Sequence, residues 1–164
     1  MDINPYKFTA SWTDYEFCTA AISTSAEILV LSMAWLTTLP SPSPNEYPVP
    51  PDIQTLNYWL SRLQPLVHGR KEVVVVCANR CGEEPGPNPF GQLESGARYA
   101  GTSTVMKIGN GRVHIWGLMS RSDEGVLVVD TENAPRWTMD EQKGEEGSEE
   151  DEEVGNGVEA DGGG

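Results

Sequence analysis

An α+β domain built on a mixed sheet is the fold class the sequence predicts, and three observations predict it. Val73 to Val76 are four successive valines with no polar alternation, the pattern of a central strand covered on both faces. Before them, a helical pattern and an apolar strand pattern alternate twice. After them, Gly109-Asn110-Gly111 between apolar runs signals a hairpin, so antiparallel strands follow the α/β part.

In chain order, M-D-I-N-P-Y-K-F at residues 1–8 carries a turn signal at Asn4-Pro5 and no regular element of its own. Thr13 and Glu16 stand at capping-box spacing, and Asp14 adds negative charge to a first turn. A helix is expected from about Asp14 to Ser25, with Phe17, Cys18, Ala20 and Ala21 inward. The apolar run Ile28 to Leu31 reads as a buried strand ending near Met33-Ala34-Trp35. Six prolines in the twelve residues Pro40 to Pro51 forbid regular structure and make a stiff connection. Asp52 is a good N-cap for a strongly amphipathic helix with Ile53, Leu56, Leu60, Leu63 and Val67 at helical spacing. Pro65 is expected to kink or tighten its last turn, and Gly69 stands where a helix stop belongs. Beyond the valine strand and Gly82, a Pro- and Gly-containing loop runs to about Ala97. Three short strands are expected next, Thr102 to Ile108, Val113 to Trp116 and Val126 to Val129.

Charge divides the chain. Residues 1–136 hold 14 Asp/Glu and 10 Lys/Arg, whereas residues 137–164 hold 11 Asp/Glu and one Lys, so the net charge of -14 splits into -4 and -10. The expected organisation is a folded domain over 1–136 and a disordered acidic Gly/Glu-rich tail over 137–164, too poor in apolar residues to offset the entropy of ordering. No basic cluster exists to neutralise phosphates, which argues against nucleic-acid binding. No apolar run approaches the roughly 18 residues of a membrane span, and nothing at the start reads as a signal peptide. Three cysteines, Cys18, Cys77 and Cys81, are an odd number at no metal-like spacing, which favours a reduced, cytoplasmic setting.

The residues alone define no self-contained active site. Cys81 beside Arg80 is a candidate stabilised thiolate, but Glu83 and Glu84 oppose the shift. Cys77 reads most simply as a small core residue. His68 falls at a helix end, where the dipole accounts for it, and His114 alternates with Val113 and Ile115 toward solvent. No histidine pair at i, i+4, no C-x-x-C and no phosphate-loop pattern is present, so neither metal nor cofactor is expected.

M-D-I-N-P-Y-K-F, L-V-L-S-M-A-W-L, N-Y-W-L-S-R-L-Q-P-L, V-C-A-N-R-C-G-E-E and Y-A-G-T-S-T-V-M-K-I, in that order, resemble the C-terminal half of the carbon-nitrogen hydrolase (nitrilase) superfamily. Within it they are most similar to the fungal type of protein N-terminal asparagine and glutamine amidases. The resemblance covers about residues 1–136 and implies part of an α-β-β-α sandwich. It implies hydrolysis of linear amides by a glutamate base, an oxyanion-stabilising lysine and a cysteine nucleophile. In the branch it names, the substrates are proteins with N-terminal Asn or Gln, whose deamidation creates a degradation signal.

The family's cysteine stands immediately before the M-D-x-N-P-Y segment, and its glutamate and lysine earlier still. The resemblance therefore implies that the 164 residues hold no catalytic residue and are inactive alone. It carries over a pocket wall: Met33, Ala34 and Trp35 at a strand end, and Asn79, Arg80 and Glu84 in the N-R-x-G-x-E turn. Trp35 either lines the site or packs; Asn79 and Arg80 either order the pocket or hold loops. Self-association or a partner supplying the missing half is expected, because a half-sandwich exposes one sheet face. Two other readings stand beside this one: a non-catalytic interaction protein using the acidic tail, and a small-amide amidase of the same superfamily.

Overall fold

The computed structural model describes residues 11–86 and 96–140. After a 3-10 turn, Trp12–Asp14, the elements are α1 Glu16–Ser23, β1 Ile28–Met33, α2 Ile53–Arg62, α3 Gln64–Val67, β2 Val73–Asn79, β3 Glu83–Glu84, β4 Ala97–Arg98, β5 Thr104–Gly109, β6 Arg112–Leu118 and β7 Trp137–Asp140. Five strands form a mixed sheet in the order β1-β2-β5-β6-β7, and β3 and β4 pair separately. β1 and β2 are parallel. The pairs β2–β5, β5–β6 and β6–β7 are antiparallel. The mixed α+β sheet expected from the sequence is therefore present among the described residues.

One face of this sheet carries the core. Leu29 and Leu31 of β1, Val73, Val75 and Cys77 of β2, and Met106 and Ile108 of β5 cluster with Cys18 and Ala21 of α1 and Leu56 and Trp59 of α2. Each large apolar side chain so buried is worth about 1.5–3 kcal/mol relative to exposure. The opposite face differs from expectation at β1. That strand alternates, leaving Ile28 63% and Val30 66% exposed, because among the described residues helices cover only its Leu29 and Leu31 face. β2 is central as expected, but Val74 and Val76 are only half-buried on this second face.

Local chemistry moves several boundaries. The first capping box uses Ser11 and Asp14 rather than Thr13 and Glu16, and it closes the 3-10 turn; Tyr15 in the left-handed region then starts α1. Glu16 instead pairs at 2.9 Å with Arg62, whose buried guanidinium also donates to the Trp12 carbonyl. Arg62 and Trp59 therefore take inward positions on α2, while Ile53 stays half-exposed. Pro65 breaks the helix as its sequence position predicts, with Leu63 ending α2 and Pro65 in the first turn of α3. Asn110 and Gly111, both at positive φ, join β5 to β6 with Gly109 paired to Arg112.

Val126 to Val129 is not a strand. Val126 and Val128 point into solvent, while Leu127 and Val129 cover Gly117 of β6, where any side chain would collide with them. The strand that does flank β6 is β7, which occupies the first four residues of the expected acidic tail. Trp137 to Asp140 alternates aromatic, hydroxyl, thioether and carboxylate groups and pairs Arg112 with Asp140 at 2.8 Å, so its acidity is locally neutralised. Residues 1–10, the middle of the Gly82–Ala97 loop and residues 141–164 lie outside the described residues, and with them the first resemblance segment and most of the expected tail.

The proline-rich connection is fixed from outside. Arg121, 7% exposed, donates to the Pro40 carbonyl at 2.6 Å and to both Glu46 oxygens at 3.1 Å. Asp52 closes the connection. Its Oδ1 accepts from the Gln54 and Thr55 amides at 3.0 and 3.1 Å, and its Oδ2 accepts from Thr37 Oγ1 at 2.6 Å. Asp52→Ala therefore removes a cap and strands a hydroxyl. We expect a loss of about 2–3 kcal/mol in the urea unfolding free energy, and less than half of that for Asp52→Asn, which keeps the cap.

Candidate functional site

β1 and β2 run parallel, so their C-terminal ends lie side by side, with Met33 opposite Asn79. Strand ends of this kind leave backbone groups without a ladder partner. Here the Asn79 side chain supplies them: its Oδ1 accepts from the Trp35 amide at 2.8 Å and its Nδ2 donates to the Gly101 carbonyl at 2.9 Å. The Asn79 amide donates to Ser103 Oγ at 3.0 Å. Arg80 is tied by its backbone, its amide donating to the Met33 carbonyl at 3.0 Å and its carbonyl accepting from the Gly101 amide at 2.9 Å.

One segment, Tyr99 to Ser103, receives both loops. The Tyr99 amide bonds the Gly82 carbonyl at 2.9 Å, and the Ala100 amide bonds the Trp35 carbonyl at 2.8 Å. Gly101 sits at φ 53, and a Cβ there would stand 2.3 Å from the Arg121 carbonyl oxygen, so only glycine fits.

Two groups of predicted residues emerge. Met33, Trp35 and Asn79 form the first, on the helix side. The Trp35 ring lies 4.7 Å from that of Tyr58 at 31° and 5.4 Å from that of Trp59, edge-on. Trp35 and Tyr58, with Thr37, Thr38 and Gln54, line an open depression of about 190 Å³. Met33 turns inward, lining a gap of about 10 Å³ with Cys77 and Met106, and Ala34 is exposed. Trp59 Nε1 is buried with no hydrogen-bond partner among the described residues.

Arg80 and Glu84 form the second group. They are ion-paired, and Tyr99 completes a triad by donating to Glu84 Oε2 at 2.6 Å while its ring stacks 4.4 Å from the Arg80 guanidinium. The Tyr99 hydrogen bond, then the Arg80 hydrogen bond and charge, hold the Glu84 carboxyl below its usual value. Reciprocally, the bond to Glu84 raises the Tyr99 phenol. Sequence reasoning missed Tyr99, Ser103 and Tyr58 as site residues. Y-A-G-T-S-T was legible as a segment, but the partner of each side chain depends on long-range register.

Cysteine chemistry recedes. Cys77 is buried against the helices, and burial pushes its thiol up to about 12, so it is not a nucleophile at neutral pH. The Arg80 charge beside Cys81 is directed to Glu84 and Tyr99 instead. Among the described residues, no group of three His, Cys, Asp or Glu side chains stands where it would hold a metal ion, and no helix is long and apolar enough to cross a membrane.

The fold and site thus define a mixed-sheet α+β domain whose parallel strand ends carry an aromatic depression and an Arg-Glu-Tyr triad. The chain is similar to the protein N-terminal amidase of Schizosaccharomyces pombe (strain 972 / ATCC 24843), 31% identical over an alignment of 143 residues, which covers 80% of this chain. That likeness bears out the resemblance read from the sequence. The chain spans 46% of the length of that relative. No family model matches the chain, and no solved structure matches it.

The triad makes a pH prediction with a definite sign. Glu84 is depressed on folding, so its contribution to stability is present above its unfolded pKa and fades as pH falls through the folded value. Tyr99 is raised on folding, so its contribution holds below its unfolded pKa and fades as pH rises through the folded one. Tyr99→Phe is expected to bring the Glu84 pKa back up toward the ordinary glutamate value, read by NMR titration of the Glu84 carboxyl carbon. An unchanged midpoint would mean that Arg80 alone sets it.

Proposed function

We propose that this chain forms the downstream part of a carbon-nitrogen hydrolase of the protein N-terminal amidase type, which deamidates N-terminal asparagine or glutamine of protein substrates. The observation that carries the reading is the 31% identity to a protein N-terminal amidase over 143 residues. Amide hydrolysis of this type needs a nucleophile, a base and an oxyanion cation. The family order assigns all three to positions preceding Met1, so residues 1–136 supply walls rather than reacting groups. In that role Trp35 and Tyr58 offer a flat aromatic surface to the substrate's terminal residue, and an aromatic face attracts a terminal ammonium. Asn79 holds the Trp35 backbone in place, and Arg80 with Glu84 fixes the rim.

The same reading accounts for the uncovered sheet face. Ile28, Val30, Val74 and Val76 form an apolar strip with no covering element among the described residues, and in an α-β-β-α sandwich a second sheet lies there.

Two measurements test the proposal. Incubated with peptides bearing N-terminal Asn or Gln, the 164 residues alone are expected to release no ammonia above a blank. Joined to an upstream segment carrying the family's Glu, Lys and Cys, they are expected to release it, with Trp35→Ala raising KM more than it lowers kcat. Ammonia from the 164 residues alone would overturn the assignment of roles. Separately, the 164 residues should bind a hydrophobic dye through the uncovered face, and Ile28→Lys with Val30→Lys should remove most of that signal while leaving the far-UV spectrum unchanged.

A further inference from the structure

β1 leaves one edge of the main sheet open. In the order β1-β2-β5-β6-β7 it has β2 on one side and, among the described residues, no strand on the other. Which backbone groups face the open side follows from the two ends of its ladder. The Val74 amide donates to the Glu27 carbonyl at 2.9 Å, and the Arg80 amide to the Met33 carbonyl at 3.0 Å. In a parallel ladder every second residue bonds to the same neighbour, so Glu27, Leu29, Leu31 and Met33 serve β2. Ile28, Val30 and Ser32 therefore aim their N–H and C=O groups outward, and none of these groups has a hydrogen bond among the described residues.

This edge lacks the features that keep sheet edges apart, which are short length, charge, proline or a covering element. β7, at the far edge, is four residues long and ends on Asp140, paired with Arg112. β1 is six residues, I-L-V-L-S-M, with no charge and no proline. Its neighbours in the chain turn away from the edge. α1 is tied toward α3, with the Tyr15 hydroxyl donating to Gln64 Oε1 at 3.2 Å. After Met33 the chain crosses to the β2 side, where the Trp35 amide bonds Asn79 and the Thr37 amide bonds the Arg98 carbonyl at 2.9 Å. Held to β2 along its whole length, β1 is already ordered for pairing.

We propose that β1 pairs with the β1 of a second copy, antiparallel about a two-fold axis through Val30 and perpendicular to the sheet. Such an axis keeps each face on its own side, and directly opposite residues in an antiparallel pair share a face, so only residues both even or both odd in number can meet. Centring on Val30 sets Val30 opposite Val30, Ile28 opposite Ser32 and Leu29 opposite Leu31. The outward residues then all fall in hydrogen-bonded pairs, and every N–H and C=O of Ile28, Val30 and Ser32 gains a partner. Leu29 and Leu31, buried in their own chain, meet on the helix face. Ile28 and Val30, 63% and 66% exposed, meet their counterparts on the other face and lose contact with water. Glu27 stands one residue outside, opposite Met33, so no like charges face each other. The contact is isologous and closes at two copies. It needs nothing from the amidase assignment, so either can fail without the other.

Sedimentation equilibrium of the 164 residues tests the pairing. At about 0.1 mM chain, where a micromolar Kd leaves the protein mostly paired, the expected mass is that of a dimer, and amide exchange at Ile28, Val30 and Ser32 should slow as concentration rises. Val30→Lys sets two ammonium groups across the axis and is expected to raise the dimer Kd about ten-fold. Val30→Glu should do the same with two carboxylates. Mixing the two variants in equal amounts is expected to restore the dimer, because unlike charges then meet at the axis. That rescue separates pairing at Val30 from any folding defect in either variant. A monomer mass at that concentration, which would leave the edge to a strand of another protein, overturns the proposal. So do larger oligomers, a Kd unchanged by Val30→Lys, or no gain on mixing.

Discussion

The described structure depends most on how two parallel strand ends are closed. β1 and β2 stop together at Met33 and Asn79, and no further strand among the described residues continues the ladder past them. Left open, the Trp35 amide and the Gly101 carbonyl would each lack a partner, at a cost of about 1–3 kcal/mol apiece if buried. One side chain answers both, because a carboxamide presents an acceptor and a donor in a fixed plane. Asn79 faces the loop after β1 with its oxygen and the Tyr99–Ser103 segment with its nitrogen. Aspartate could serve only the first. The rest follows from that stitch: Trp35 is held against Tyr58, Arg80 is fixed between Met33 and Gly101, and the second loop is brought to within reach of Glu84.

Much of this architecture was legible in the sequence, for reasons that differ by element. Asp52, Pro65, Gly69 and Asn110-Gly111 act through local backbone chemistry, and each stands where its residue type implies. The valine run declared a central strand but not what covers its second face, which depends on elements elsewhere. Ile28 to Leu31 shows the same limit more sharply: an unbroken apolar run reads as buried on both faces, yet β1 alternates because no element among the described residues covers its second face. Thr13 caps nothing because it lies inside the 3-10 turn that Ser11 caps, and α1 starts only after Tyr15. Val126 to Val129 has strand composition without a free strand edge, while Trp137–Asp140 found one on β6 despite its acidic flank. At the site, Asn79, Arg80 and Glu84 were readable as one motif; Tyr99 was not, since its meeting with Glu84 is made by β3–β4 pairing across residues distant in sequence.

Charge is distributed by distance from the core. Arg62 and Arg121 are nearly inaccessible, and each has both a carboxylate and a backbone carbonyl as acceptor. Losing Glu16 or Glu46 would leave a buried guanidinium partly unpaired, a far larger penalty than losing a surface pair. Pairs such as Lys71–Glu27 and Arg112–Asp140 are solvent-exposed and screened, so they orient chain segments more than they stabilise them.

That gradient bears on which site residues carry weight. Arg80 and Glu84 are both about half exposed, so their pairing contributes little to folding and its value lies in fixing the direction of a rim. Tyr99 strengthens the arrangement because it adds a hydrogen bond to the carboxylate and a ring beneath the guanidinium, leaving Glu84 ionised and already occupied. A carboxylate so engaged is a poor proton acceptor, which argues against a general-base role for Glu84 and for a positioning one. Trp35 differs in kind. Its backbone is locked on both sides, by Asn79 and by Ala100, while its ring borders an open depression. A rigid aromatic surface beside open space presents contact area without a further ordering cost on binding. The structural order therefore runs from Asn79, which shapes the strand end, to Trp35, which that shape presents.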